Sequence, residues 1–261
     1  MKFSTYQMEV VPGDPEANRQ KVKKWVEEVV AKDNPDTVVL PELWTTSFKL
    51  EELQELADEA GEPTKSFLSE LAAEQKVNII GGSIANKIDE KIYNTSYVYN
   101  SKGELVYEYS KIHLVPMLDE HLYLTGGEKK AKVFELDGIK MGVIICYDLR
   151  FPELARSLAL QGAQVLFITA EWPVERKLHW RSIQIARAIE NQMYVVSSNN
   201  VGTLDGVEYG GTSMMIDPWG EVLREGSGDQ EETLTESLDV EKVLEVRKKV
   251  PIFDSRVPNL Y

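Results

Sequence analysis

Met141-Gly142-Val143-Ile144-Ile145-Cys146-Tyr147-Asp148-Leu149-Arg150-Phe151-Pro152-Glu153 runs as an apolar strand into the only cysteine of the chain, turns through polar residues and restarts as a helix with Pro152 in its first turn. Working outward, an apolar helical stretch from Leu154 to Leu160 precedes a buried strand over Ala163 to Thr169. A helix over about 178–191, carrying Ile183, Ile185, Ala186 and Ile189, then leads into Met193-Tyr194-Val195-Val196. Toward the N-terminus, residues 17–32 put Val22, Trp25, Val26, Val29 and Val30 on one helical face just before Thr37-Val38-Val39-Leu40. Phe67, Leu68, Leu71 and Ala72 likewise precede Val77-Asn78-Ile79-Ile80. Helices that alternate with buried strands predict an α/β fold with helices covering the sheets. Turn signals at Lys102-Gly103, Asp137-Gly138 and Pro218-Trp219-Gly220 predict hairpins, so the sheets should be mixed. No linker, repeat or low-complexity tract interrupts the pattern, which predicts one domain over 1–261. Within it, 251–261, with Pro251 and Pro258, is expected as an extended C-terminal arm.

The 261 residues are 43% hydrophobic, enough for a sizeable core and against intrinsic disorder. With 29 Lys+Arg against 43 Asp+Glu, the net charge of −14 would repel nucleic acid and an anionic membrane surface, and no basic run offsets it. One cysteine cannot form an internal disulfide, and Met1-Lys2-Phe3-Ser4-Thr5-Tyr6-Gln7 lacks the apolar core of a signal peptide. A cytoplasmic protein without nucleic-acid or membrane partners is therefore expected. No stretch approaches the ~20 apolar residues of a membrane span.

Three strand ends carry the residues with chemical potential. At Cys146 a strand-to-helix turn would expose a thiol at a sheet edge, where helix-terminal N–H groups favour a thiolate and a developing oxyanion. The same cysteine, following Val-Ile-Ile, also suits a small buried hydrophobe, so it needs an activating partner. Thr37-Val38-Val39-Leu40-Pro41-Glu42-Leu43-Trp44 ends a second buried strand in a carboxylate flanked by apolar residues, a setting for a general base or simply a capping acid. Tyr109-Ser110-Lys111-Ile112-His113-Leu114 closes a third with a lysine and a histidine that would share one face. A Cys–His pair is the alternative activation scheme, with His113, His121 and His179 as its candidates. Metal binding has little support, because no two histidines share a helical i, i+4 face and no second cysteine exists.

Pro41-Glu42-Leu43, Lys111-Ile112-His113-Leu114 and Cys146 to Glu153, in that order, resemble the nitrilase superfamily of carbon–nitrogen hydrolases. The resemblance extends to Gly81-Gly82-Ser83, Tyr93-Asn94-Thr95, Ala186-Arg187-Ala188-Ile189-Glu190-Asn191-Gln192 and Asp217-Pro218-Trp219-Gly220. It implies a four-layer α-β-β-α sandwich that dimerises, with Glu42, Lys111 and Cys146 as catalytic triad and Glu120 as a second glutamate. It also implies a mechanism on these residues. Glu42 takes the thiol proton, Cys146 attacks an amide carbonyl, and Lys111 with the Tyr147 N–H stabilises the oxyanion; ammonia leaves, and water releases the acid from a thioester. Neither a metal nor an organic cofactor is implied.

The segment Ala170-Glu171-Trp172-Pro173-Val174-Glu175-Arg176-Lys177-Leu178-His179-Trp180 is similar to the ω-amidase branch of that family, which acts on dicarboxylic monoamides. Such a substrate carries a carboxylate, for which Arg176 is the expected cation and Trp172 an apolar wall. Glu171 departs from the branch pattern and would oppose a dianionic ligand. Other readings keep the triad for nitrile or N-carbamoyl hydrolysis, make the chain a non-catalytic binding member, or treat Cys146 as a redox-sensing thiol.

Overall fold

Side-chain alternation along the first strand already separates two apolar faces. In the computed structural model, which describes residues 1–260, β1 (Lys2–Gln7) turns Phe3 toward a second sheet, whereas Tyr6 stacks on Trp25 of α1 (Pro15–Asp33) with ring centroids 4.5 Å apart. Helix α1 begins where the Asp14 carboxylate accepts the Ala17 N–H at 3.0 Å, with Pro15 in its first turn, and ends at Asn34 in the left-handed conformation. The same split recurs in β2 (Thr37–Val39) and, beyond the short α2 (Leu53–Leu56), β3 (Asp58–Glu59) and α3 (Thr64–Gln75), in β4 (Asn78–Ile80). Val38 and Ile79 pack with α1 and α3, whereas Val39 and Ile80 join the core between the sheets.

The chain continues through β5 (Ile84–Ile88), β6 (Lys91–Tyr99), β7 (Leu105–Ser110), β8 (Phe134–Leu136) and β9 (Ile139–Ile145). Then come α4 (Pro152–Leu160), β10 (Val165–Ala170), α5 (Lys177–Asn191), β11 (Tyr194–Asn199), β12 (Val201–Leu204), β13 (Val207–Gly210), β14 (Met214–Ile216), β15 (Val222–Glu225), β16 (Glu232–Ser237) and α6 (Lys242–Lys249). Among the described residues, one sheet has eight strands in the order β16-β1-β2-β4-β6-β5-β3, with β7 also paired to β6. The other has six, ordered β15-β14-β11-β10-β9-β8, and β12 with β13 forms a separate hairpin. Both main sheets are mixed: β1, β2 and β4 run parallel in one and β9, β10 and β11 in the other, flanked by antiparallel neighbours.

Phe3 meets Phe167 across the interface between the sheets at 5.9 Å. On the outer side of the second sheet, Gly142 lets α4 approach, since a Cβ there would lie 2.8 Å from Leu158. With α1 and α3 outside the first sheet and α4 and α5 outside the second, the layers are α-β-β-α. The hairpins expected at Lys102-Gly103, Asp137-Gly138 and Pro218-Trp219-Gly220 join β6 to β7, β8 to β9 and β14 to β15. Residues 251–260 run through turns to a 3₁₀ turn at Pro258–Leu260, with Phe253 beneath the guanidinium groups of Arg156 and Arg247; Tyr261, the end of the expected arm, lies outside the described residues. Among the described residues no helix is long and apolar enough to cross a membrane.

Candidate active site

The parallel strands of both sheets end at one edge, and the chain leaves that edge in strained turns. Cys146 follows β9 directly, has φ +46°, and opens a 3₁₀ turn over Cys146–Arg150 that passes into α4 at Pro152. A non-glycine residue in the left-handed region at a strand-to-helix turn matches the geometry of a presented nucleophile. Asp148 stabilises the turn by accepting the Ile145 N–H, the Tyr109 hydroxyl at 2.7 Å and the His113 ring at 2.8 Å. From α5, Arg187 donates two hydrogen bonds to the Leu149 carbonyl. In the opposite sheet, Leu40 pairs with Ile80 and the chain turns at Pro41 to present Glu42. Only glycine fits at position 82, where φ is +61° and a Cβ would lie 2.0 Å from the Pro41 carbonyl oxygen.

These turns bring Glu42, Lys111, Glu120 and Cys146 together, and each is buried. The Lys111 ammonium lies 2.9 Å from Glu42 Oε1 and 2.8 Å from Glu120 Oε1. Glu42 Oε1 also accepts from Asn94 Nδ2 at 2.8 Å, and its Oε2 accepts the Glu171 N–H at 2.9 Å. Glu120 Oε2 takes the Val115 N–H at 2.7 Å. Breaking such a buried pair from one side leaves an uncompensated charge, so the three side chains hold one another in place.

The electrostatics follow from this packing. Burial alone would push Lys111 down, but Glu42 and Glu120 outweigh it and hold the ammonium charged well above the ordinary lysine range. Burial raises Glu120, Lys111 opposes it and Glu42 adds to it, leaving a net upward shift. The Cys146 thiol is pushed well above its usual range by burial first and Glu42 second, against the pull of Lys111. The site therefore does not favour a resting thiolate, contrary to the expectation for a helix-terminal cysteine, because burial and the nearby Glu42 outweigh the pull of Lys111. A thiol so raised can give up its proton only as an acceptor takes it, and Glu42 is the carboxylate whose charge acts most strongly on it.

Above Cys146 opens a small cleft that also collects Tyr147, Glu171, Trp172 and Arg176. Phe48, Val115 and Met117 contribute apolar wall. Trp172 is 2% exposed and donates its indole N–H to the Arg176 carbonyl at 2.9 Å. Arg150 lies over the Trp172 ring at 4.6 Å and lines the same cleft, a role the sequence reading did not assign to it. Asn94, Ser47 and Tyr209 were also passed over; of these only Asn94 had a signal, in its place within Tyr93-Asn94-Thr95.

The histidines take other roles. Lys111 and His113 both lie beyond the end of β7 rather than in a strand, and the His113 N–H and ring both bond Asp148 while its ring stacks on Phe151 at 3.5 Å. His121 is exposed and does not line the cleft, and His179, also exposed, sits against Arg150. Among the described residues no group of three or more His, Cys, Asp or Glu side chains is arranged to hold a metal.

Fold and site together describe a cysteine hydrolase with an acid–amine pair beside the thiol. The sequence profile of the carbon-nitrogen hydrolase family matches residues 2–248, and the chain belongs to that family. It is 43% identical to the 2-oxoglutaramate amidase of Bacillus subtilis, over 99% of this chain and 98% of the relative. It is 42% identical to a hydrolase in the agr operon of Staphylococcus aureus, with both chains covered in full. The crystal structure of Saccharomyces cerevisiae Nit3, a member of branch 10 of the nitrilase superfamily, superposes with a TM-score of 0.89 at 31% identity, over 96% of this chain and 94% of that one. The chain is thus an amidase of the carbon–nitrogen hydrolase family, acting on C–N bonds.

Proposed function

We propose that this amidase hydrolyses the terminal amide of a small dicarboxylic monoamide, of the 2-oxoglutaramate or succinamate type, to acid and ammonia. The observation that carries the reading is Lys111 clamped between Glu42 and Glu120, with the buried Cys146 thiol under the influence of both Glu42 and Lys111. Glu42 removes the thiol proton as sulfur attacks the amide carbon. The Lys111 ammonium and the Tyr147 N–H receive the oxyanion. Glu42 then returns the proton to the departing nitrogen, ammonia leaves, and a thioester remains on Cys146. In the second half Glu42 deprotonates water, which attacks the thioester carbon, and the thiol is restored as the acid departs. Glu120 positions Lys111 and the substrate.

Support for a carboxylated substrate comes from Arg150 and Arg176 at the cleft and from the similarity to the 2-oxoglutaramate amidase. The reading extends to a single-domain homodimer in the cytoplasm. Leu160 of α4, Ile189 of α5 and Trp219 in the β14–β15 turn, each near half exposed, offer apolar surface for a second copy. Light scattering should return twice the chain mass, and a monomer would remove that part. Ammonia release from a panel of monoamides, nitriles and N-carbamoyl acids tests the reaction. Turnover of the monoamides is expected, and exclusive turnover of either other class would overturn the reading.

A further inference from the structure

Glu171 is the acid for which the mechanism above has no task. It follows β10 at the edge where both catalytic strands end, and its backbone N–H holds Glu42 Oε2. Its side chain is 2% exposed and lines the cleft beside Cys146, Trp172, Arg150 and Arg176. Ser47 Oγ donates to Oε1, and the Tyr209 hydroxyl and the Phe48 N–H face the same carboxyl. Oε2 is buried and makes no well-formed hydrogen bond, although the Tyr209 hydroxyl lies within reach of the carboxyl. A buried polar atom left open at the wall of a binding cleft is costly in the free protein, and a ligand atom would satisfy it.

The charges around it fix which form the group takes. Glu42 lies on one side, with Lys111 beyond it already paired to Glu42 and Glu120; Tyr209 and Cys146 face it as uncharged groups, and the two arginines stand in the cleft. Burial, opposed by the Ser47 hydrogen bond and reinforced by Glu42, pushes Glu171 up to about 8. At neutral pH it is therefore mainly a carboxylic acid. Ser47 occupies Oε1 as a donor, which leaves Oε2 to carry the proton.

We propose that Glu171 is a specificity residue whose Oε2–H donates a hydrogen bond to an acceptor oxygen on the substrate's acyl chain, a carboxylate or ketone beyond the reacting amide. The proposal deepens the monoamide reading and rests on it for the nature of the ligand. An uncharged donor resolves the apparent conflict of an acid in a pocket for anions: the arginines supply the charge, and Glu171 supplies direction without repulsion. A site of this kind discriminates against amides that lack the oxygen, because its buried donor then stays unpaired.

The test uses the full chain carrying Cys146→Ala, so that amides bind without turnover. Calorimetry between pH 6 and 9.5 follows succinamate, with only a carboxylate, 4-oxopentanamide, with only a ketone, and butyramide, with neither. Affinity for the first or second should be level below pH 7 and fall toward tenfold per unit above about pH 8, as the donor proton is lost. The ligand that shows the fall identifies the accepting oxygen. Adding Glu171→Gln, which offers a permanent N–H donor, should flatten that limb. Glu171→Leu should weaken the same ligand by about tenfold or more at pH 7 and leave butyramide within about twofold. A limb unchanged by Glu171→Gln, or equal weakening of all three ligands by Glu171→Leu, overturns the proposal. So does preferential binding of L-glutamine, whose ammonium would require an ionised Glu171. Ammonia release by the protein with Cys146 intact tests the reaction separately: no turnover together with the expected binding pattern would sink the monoamide chemistry and still support the hydrogen bond.

Discussion

At the bottom of the cleft Glu42, Lys111 and Glu120 have no exposed surface, and fixed donors meet both oxygens of each carboxylate. At its rim Arg150 and Arg176 are only partly buried, and among the described residues neither guanidinium is ion-paired to a carboxylate. The difference separates two tasks. A set of charges locked by its own hydrogen bonds is organised before any substrate arrives, which suits a group that must act on the transition state. Cations left without a counterion suit an anion that arrives with the ligand. Substitutions at the bottom should therefore depress turnover of every amide, and substitutions at the rim should sort amides by charge.

The sharpest way to break this division is to alter the bottom and find that some substrate escapes. Cys146→Ala should abolish turnover on charged and neutral amides alike, by at least ~10⁴-fold, with the fold intact by circular dichroism. Glu42→Gln keeps the shape and loses the proton acceptor, so kcat should fall by ~10²–10⁴-fold. His113→Asn should cost less than either, since His113 serves Asp148 rather than the thiol. A His113 variant as inactive as Glu42→Gln would revive the Cys–His scheme.

A second test takes the lysine out of the cluster. Lys111→Met leaves Glu42 and Glu120 facing each other without the cation between them, and removal of one partner from a buried ionic group typically costs about 3–5 kcal/mol. Urea unfolding at pH 7 should show a loss of that order, partly relieved at lower pH where Glu120 takes a proton. A variant as stable as the parent would mean that the cluster is not locked as described.

Glu171 lies between the two regions and tests the boundary between them. Its carboxyl is raised in the fold to about 8 from an ordinary value of 4.5. Below about pH 4.5 both folded and unfolded forms are protonated, and the shift has no effect on stability. As pH rises, the unfolded chain ionises first, so stability falls until the folded group also ionises near pH 8, and it is level beyond. Glu171→Gln lacks this decline. Relative to the parent it should gain about 3 kcal/mol between pH 5 and pH 8, read from paired urea titrations. A constant difference across that range would show that Glu171 titrates as an ordinary acid.

How much of this could be read from the chain follows the range of the interactions involved. Helix–strand alternation is local, and it located α1, α3, α4 and α5 with the strands after them, since each apolar face is written in consecutive residues. The hairpin at Asp205-Gly206 escaped notice although both residues have φ near that of a two-residue turn, because Val201 to Gly210 carries little alternation around it. β16 was also missed; its identity as a strand depends on pairing with β1 more than two hundred residues earlier. Within the site, Glu42, Lys111, Glu120 and Cys146 stood out by motif. Asn94, Ser47 and Tyr209 did not, because their significance is a contact made across loops and not a pattern in sequence. Arg150 lay in the quoted motif, but only the packed Trp172 ring shows which way it turns.

The smallest expected effect lies at the rim. Were Arg176 wholly buried against a substrate carboxylate, its loss would cost about 2–5 kcal/mol. It is only partly buried and Arg150 shares the cleft, so solvent and a second cation reduce the figure to about 1–2 kcal/mol, a KM increase of about 5- to 30-fold for succinamate. Because the carboxylate is remote from the reacting carbon, the contact is equal in ground and transition states, and kcat should hold nearly constant. Butyramide, which never uses the contact, should be hydrolysed by Arg176→Ala within about twofold of the parent rate. Arg176→Lys should recover only part of the loss, as a point charge replaces a planar two-donor fork. An equal loss on charged and neutral amides would place Arg176 in the scaffold that holds the Trp172 indole through its carbonyl. The anion would then fall to Arg150 alone, and Arg150→Gln should produce the charge-selective KM increase that Arg176→Ala had failed to give.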